Sequence, residues 1–120
     1  MKKIHLLLVL LLTFCNIQAQ ENILDTDYSQ YLNKKVEYCD HVFGTFVSKG
    51  NKKVILLNLG ANYPNHRLVV AIFEDSWKAF NYAPAEFLKN KNICVKGKLI
   101  MYKGKPEIIV KSPDQITVKP

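Results

Sequence analysis

The chain has 120 residues and a net charge of +7, with 17 Lys and Arg against 10 Asp and Glu. That length holds one modest core, not two domains, and the chain has no low-complexity tract and no Pro/Gly/Ser linker. The basic balance suits nucleic acid, an anionic glycan or a lipid surface equally well, and lysines also serve solubility.

Residues 1–19 have the three parts of a secretory leader. Lys2 and Lys3 form a basic start, residues 4–14 are apolar apart from His5 and Thr13, and Ala19 precedes Gln20. The apolar run is shorter than the roughly 20 residues that span a bilayer, so a cleaved leader is favoured over a membrane span. A lipid-modified Cys15 is disfavoured because Phe14 stands where lipoprotein signals carry a small residue. Ile17 is bulkier than the usual residue two places before the cut, which therefore falls at Ala19 or within a residue or two of it. The expectation is an exported protein, periplasmic or secreted. Removing residues 1–19 leaves 15 basic against 10 acidic residues, a net +5. From Asn33 onward the balance is 15 against 7, because Glu21, Asp25 and Asp27 all lie in the lead-in, residues 20–32.

Asp27 is placed to cap a helical turn in that lead-in. Regular alternation begins at Val36, with Val36, Tyr38, Asp40 and Val42 on one face and Glu37, Cys39, His41 and Phe43 on the other. Gly44 marks a bend or bulge before the strand resumes through Phe46 and Val47. Residues 48–53 (SKGNKK) are a turn. Val54–Leu59 is almost wholly apolar, as in a strand buried at the centre of a small barrel. Residues 60–65 (GANYPN) break it, and Leu68–Phe73 is a third strand, β-branched and aromatic. The period then changes: Asp75 can cap a helix, Trp77 and Phe80 lie three apart, and Pro84 suits the first position of another turn carrying Phe87 and Leu88. That stretch is a short, broken helix whose aromatics plug the barrel end. Period two returns over residues 93–102, Lys103-Gly104-Lys105 turns the chain into residues 106–110, and Ile116–Val118 is a last short strand.

Three strands, a helix, then a hairpin is the order of the five-stranded Greek-key OB barrel, with the helix between strands 3 and 4. Another small β-barrel or an α+β sandwich are the rivals. An internal echo supports two equivalent strands: Asn33-Lys34-Lys35-Val36 parallels Asn90-Lys91-Asn92-Ile93. In an OB barrel these are the neighbouring first and fourth strands, and the echo places Cys39 and Cys94 on the same side of the sheet. Export and this placement predict a Cys39–Cys94 disulfide. Zinc has no support, since there is no C-x-x-C and neither His41 nor His66 neighbours a second ligand at useful spacing.

Three segments, NKKVEYCDHV, LNLGANYPN and MYKGKPEII, resemble those of small OB-fold domains of secreted bacterial proteins. Such domains often accompany secreted nucleases of the thermonuclease kind and also occur alone. The resemblance runs from about Leu32 to Val118, within a domain taken as residues 33–120, and the nuclease domain itself is absent. It departs from the family pattern at Asn33, where a Gly is usual, and at Asp40, where a second Gly is usual, which bears on local turn and bulge geometry. The resemblance implies an OB barrel with nucleic-acid binding as its role.

In such barrels the ligand lies across strands 2 and 3, between the loop joining strands 1 and 2 and the loop joining strands 4 and 5. Here those loops supply Lys49, Lys52 and Lys53, and Tyr102, Lys103 and Lys105. They are expected to converge on one side of the barrel, lysines on phosphates and Tyr102, with Phe46 or Tyr63, on bases. Hairpin tips rich in Lys and Gly are equally explained by turn chemistry. Tyr63 and Arg67 border the loop between strands 2 and 3, a structured turn or a ligand contact. Asp40 and His41, adjacent on a strand, point to opposite faces and make no acid–base pair. The sole arginine, Arg67, falls short of the two arginines and a carboxylate that the resemblance implies for phosphodiester cleavage. The expected function is a non-enzymatic module, without metal or cofactor, binding single-stranded nucleic acid without sequence preference; the alternative is contact with an envelope protein or glycan through the same face.

Overall fold

The computed structural model of the protein describes residues 23–25 and 27–120. The leader and its cleavage position lie outside the described residues. The alternating segments become strands β1 (Lys35–Ser48), β2 (Val54–Leu59), β3 (Leu68–Phe73), β4 (Asn92–Tyr102), β5 (Lys105–Ile109) and β6 (Ile116–Val118). The strand order is β1-β2-β3-β5-β4-β6, and β1 also pairs with β4. Five strands therefore close into a ring, with β6 added along β4. Every pairing is antiparallel except β3 with β5, which is parallel. A meander, a helical crossover and a closing hairpin in this order make an OB-type Greek-key barrel.

One strand serves two neighbours because it bends. The first half of β1 pairs with β4, from Lys35–Lys98 to His41–Asn92, and the second half pairs with β2, from Gly44–Asn58 to Ser48–Val54. The register shifts between Val42 and Gly44, leaving Phe43 as the extra residue of a bulge. At Gly44 a Cβ would come within 3.1 Å of Asn62 Oδ1, so the missing side chain lets the next loop approach.

The echo has a backbone cause. Asn33 and Asn90, the residues that open its two halves, both have φ of 66°, a left-handed conformation that Asn tolerates. Asn33 thus supplies the geometry for which a Gly is usual. In the last hairpin Lys103 (φ 50°) and Gly104 (φ 80°) form a two-residue turn with both central residues left-handed, the type that matches strand twist.

Tyr38, Val42, Leu57, Leu59, Leu68, Val70, Ile72, Leu99 and Ile108 fill the interior without exposure. Each such side chain contributes about 1.5–3 kcal/mol by leaving water. The crossover is two single turns, α1 (Glu74–Trp77) and α2 (Pro84–Phe87), with Pro84 at its start. Phe80 belongs to the core, and Trp77 packs against it while donating its indole N–H to the Ile72 carbonyl at 2.8 Å. Phe73 occupies the cap position of α1, so Asp75 lies within its first turn rather than capping it. There, with Glu74, it suits the positive end of the helix. In the lead-in, Asp27 accepts from the Ser29 N–H at 3.1 Å and caps the 3-10 turn Tyr28–Tyr31. Leu24, Tyr28, Tyr31 and Leu32 pack against the barrel core.

Cys39 and Cys94 are direct cross-strand partners and form a disulfide, with Cα atoms 3.9 Å apart.

Candidate functional site

Closing the ring sends alternate residues of each strand outward. In β2 the inward residues are Ile55, Leu57 and Leu59, and Val54, Leu56 and Asn58 face out, half-buried. The apolar run of β2 is therefore buried in the core on one face only, not on both as its composition implies. Phe46, Leu56, Ala71 and Ile109 are successive partners across β1, β2, β3 and β5, one row crossing four strands. Ser48, Val54 and Phe73 form the row beside it. Phe46 is 57% exposed and Phe73 37%. The backbone positions that carry these two phenyl rings stand about 12 Å apart by strand spacing, over an aliphatic floor.

The basic loops bracket this face from its two ends and do not meet. Pairing of Val54 with Phe73 sets residues 49–53 at the C-terminal end of β3. Lys49 and Lys52 are exposed and form no ion pair among the described residues. Lys53 lies 3.6 Å from Glu74, and its carbonyl accepts from the Glu74 N–H at 3.1 Å, so it fastens the loop to α1. The second loop sits at the N-terminal end of β3, because Lys105 Nζ donates to the His66 carbonyl at 2.9 Å. Tyr102 is exposed, with Lys103 Nζ 5.4 Å from its ring centroid. Along β3 the two loops are roughly 17 Å apart. Tyr63, 76% exposed and joined to Pro64 by a cis peptide, stacks on His66 at 5.8 Å. Arg67 lies along Gly60, where a Cβ would come within 2.9 Å of its Cγ. Of the eight residues the sequence nominates, Lys49, Lys52, Tyr63, Tyr102 and Lys103 are presented to solvent, and Lys53, Arg67 and Lys105 are held by neighbouring structure. Val54, Leu56, Ala71 and Phe73 are face residues the sequence did not nominate; their signal was the alternation within two continuous apolar runs.

A cavity of about 250 Å³ opens between Leu24 and Tyr28 of the lead-in and His66, Arg67 and Lys105 of the barrel. His66 is 7% exposed, and among the described residues its Nδ1 has no hydrogen-bond partner. Burial, then the charge of Lys105, holds its pKa below the usual histidine range, so the ring is neutral at physiological pH. Asp40 accepts from the Tyr38 hydroxyl and from the His41 N–H, while the His41 ring meets Asn92 Oδ1 at 2.8 Å. The two side chains thus engage partners on opposite faces of the strand and do not converge on one atom. Glu37, Cys39 and Cys94 bring ligating atoms within 4.8 Å of one another, but both sulfurs are taken by the disulfide.

An acid lies within this face of β3 and β5. Glu107 stands between Val69 and Ile100, 5% exposed, and burial raises its carboxyl pKa above the ordinary value. A raised native pKa means that the folded state holds the proton more tightly than the unfolded chain. Its stabilising effect is complete below the unfolded pKa and is lost as pH rises through the folded one. Glu107→Gln is therefore expected to be more stable than the natural chain at neutral pH, the gap closing near pH ~4. Denaturant titrations at the two pH values check this; an equal or smaller stability at neutral pH refutes it.

No family model matches the chain, and no curated protein matches it. Among solved structures it is similar to the N-terminal domain of PriB protein from Thermoanaerobacter tencongensis, described as dimeric. The identity is 16% and the TM-score 0.44, over 72% of this chain and 96% of that one. Among the described residues no helix is long and apolar enough to cross a membrane.

Proposed function

We propose that the protein is an exported, non-catalytic binding module that takes single-stranded nucleic acid, without sequence preference, on the outward face of β1, β2 and β3. The observation that carries this reading is the exposed pair Phe46 and Phe73 over the floor of Val54, Leu56 and Ala71. Every base has a π-face, so rings on an apolar floor bind bases without reading them. Lys49 and Lys52 at one end and Lys103 at the other are placed to meet phosphates, and Tyr63 and Tyr102 offer further stacking surfaces. Glu107 in the middle is shielded, at 5% exposure. The resemblance to OB domains of secreted bacterial proteins supports the same role and the exported setting.

Fluorescence anisotropy with a labelled single strand at low and moderate salt tests the reading. Binding is expected to be weak, sequence-tolerant and steeply salt-dependent. Joint replacement of Lys52 and Lys103 by Ala is expected to lower affinity and flatten the salt slope by about 0.7 per lysine. Absence of binding at low salt overturns the proposal. A partner captured by this face with no salt dependence points instead to an envelope protein held by apolar contact.

A further inference from the structure

The outward face of the β1–β4 pair carries a second set of cations. Lys35 is the direct partner of Lys98, and Lys96 is that of Glu37. All three lysines are exposed, and none forms an ion pair among the described residues. Directly opposed residues on one face of a sheet hold their Cβ atoms about 4.5–5.5 Å apart, and like charges there are destabilising. A surface designed only for solubility intersperses its charges. The nearby acids are Glu37, Asp114 in the 3-10 turn whose Gln115 bonds the Lys96 carbonyl at 2.8 Å, and the buried Glu107, diagonal to Lys98 across β5. None stands directly opposite the Lys35–Lys98 pair.

These lysines continue the apolar row. Pairing of Leu99 with Ile108 sets Lys98 beside Ile109, the last member of the row that begins at Phe46. Around the barrel the sequence of outward side chains is therefore Phe46, Leu56, Ala71, Ile109, Lys98, Lys35: aromatic, aliphatic, then cationic. From Phe46 to Lys98 the path crosses four strand spacings, about 19 Å.

We infer that Lys35 and Lys98, with Lys96 beside them, form a phosphate-binding subsite that carries a bound single strand past the apolar row and round onto the β1–β4 face. This rests on the nucleic-acid reading. A phosphate between the two ammonium groups removes their repulsion, so the unfavourable contact in the free protein becomes favourable in the complex. The subsite lies beyond the apolar row, so only a strand long enough to leave that row reaches it.

The test is Lys98→Glu, with Lys98→Gln as a milder second variant, measured against a thymidine tetramer and a dodecamer at low salt. The carboxylate faces Lys35, so the melting temperature of the free protein is expected to rise. Affinity for the dodecamer is expected to fall about tenfold with a flatter salt slope, while the tetramer changes less than about twofold. Unchanged dodecamer binding by either variant overturns the subsite. If Phe46→Ala also weakens both oligonucleotides, the nucleic-acid reading survives that outcome; if the natural chain binds neither, both fall together.

Discussion

Reduction of the Cys39–Cys94 bond is expected to lower the unfolding free energy by about 4 kcal/mol. The bond joins residues 55 positions apart, and closing a loop of that size removes entropy from the unfolded chain by this amount in the chain-entropy model. For a domain of about a hundred residues, whose total stability is about 5–15 kcal/mol, the loss is large. It corresponds to a fall in melting temperature on the order of 20 °C. The bond lies across the β1–β4 contact that closes the ring, so its loss acts on the whole barrel rather than on one end. Denaturant titrations with and without a dithiol, and of the Cys39→Ser, Cys94→Ser double variant, measure the effect. Coincident midpoints in oxidised and reduced protein would show that the bond adds nothing.

Replacing Phe46 or Phe73 by Ala is expected to cost about 1–3 kcal/mol of binding free energy each, roughly 5- to 150-fold in affinity. Both rings are substantially exposed, so the fold is expected to tolerate their loss far better than the ligand does. Phe46→Leu separates two causes. Leucine keeps apolar area but has no π-face, so stacked bases are lost and an apolar protein contact is largely kept. Anisotropy with a single-stranded oligonucleotide, beside a thermal melt of each variant, gives both readouts. A double Phe46→Ala, Phe73→Ala variant with undiminished binding would remove this face from the function.

The strands were legible because each carries its own period, and the final hairpin because Lys-Gly matches a two-residue left-handed turn. The neighbourhood of β1 and β4 was legible for a subtler reason. Asn33 and Asn90 both adopt positive φ on entering their strands, so the same Asn-Lys opening recurs and its alternation puts both cysteines on the same face. The outward face of β2 was not legible. A continuous apolar run fits a strand covered on both sides as well as one with an apolar outer face. Nor does sequence distinguish Lys52 from Lys53, or Lys103 from Lys105. Which long side chain finds a partner depends on Glu74 and the His66 carbonyl, which only the closed barrel brings near. The opposition of Lys35 and Lys98 sits between these cases. Once Cys39 faces Cys94 in antiparallel strands, counting outward fixes every other pair, so the signal was present but unused.

The bend that lets β1 serve two neighbours also sets an order of assembly. Its second half meets β2 across a short turn and can pair as soon as both are available. Its first half must wait for β4, whose contacts with it span more than fifty positions, 55 at the cysteines. Non-local pairing of this kind slows folding, because the intervening chain loses freedom before the contact forms. Until then residues 35–41 present an open strand edge, the template on which chains associate wrongly. Lys34, Lys35 and Glu37 stand along that edge, and charges there discourage a second chain from pairing first. The same lysine that opposes Lys98 in the finished barrel thus guards the incomplete one.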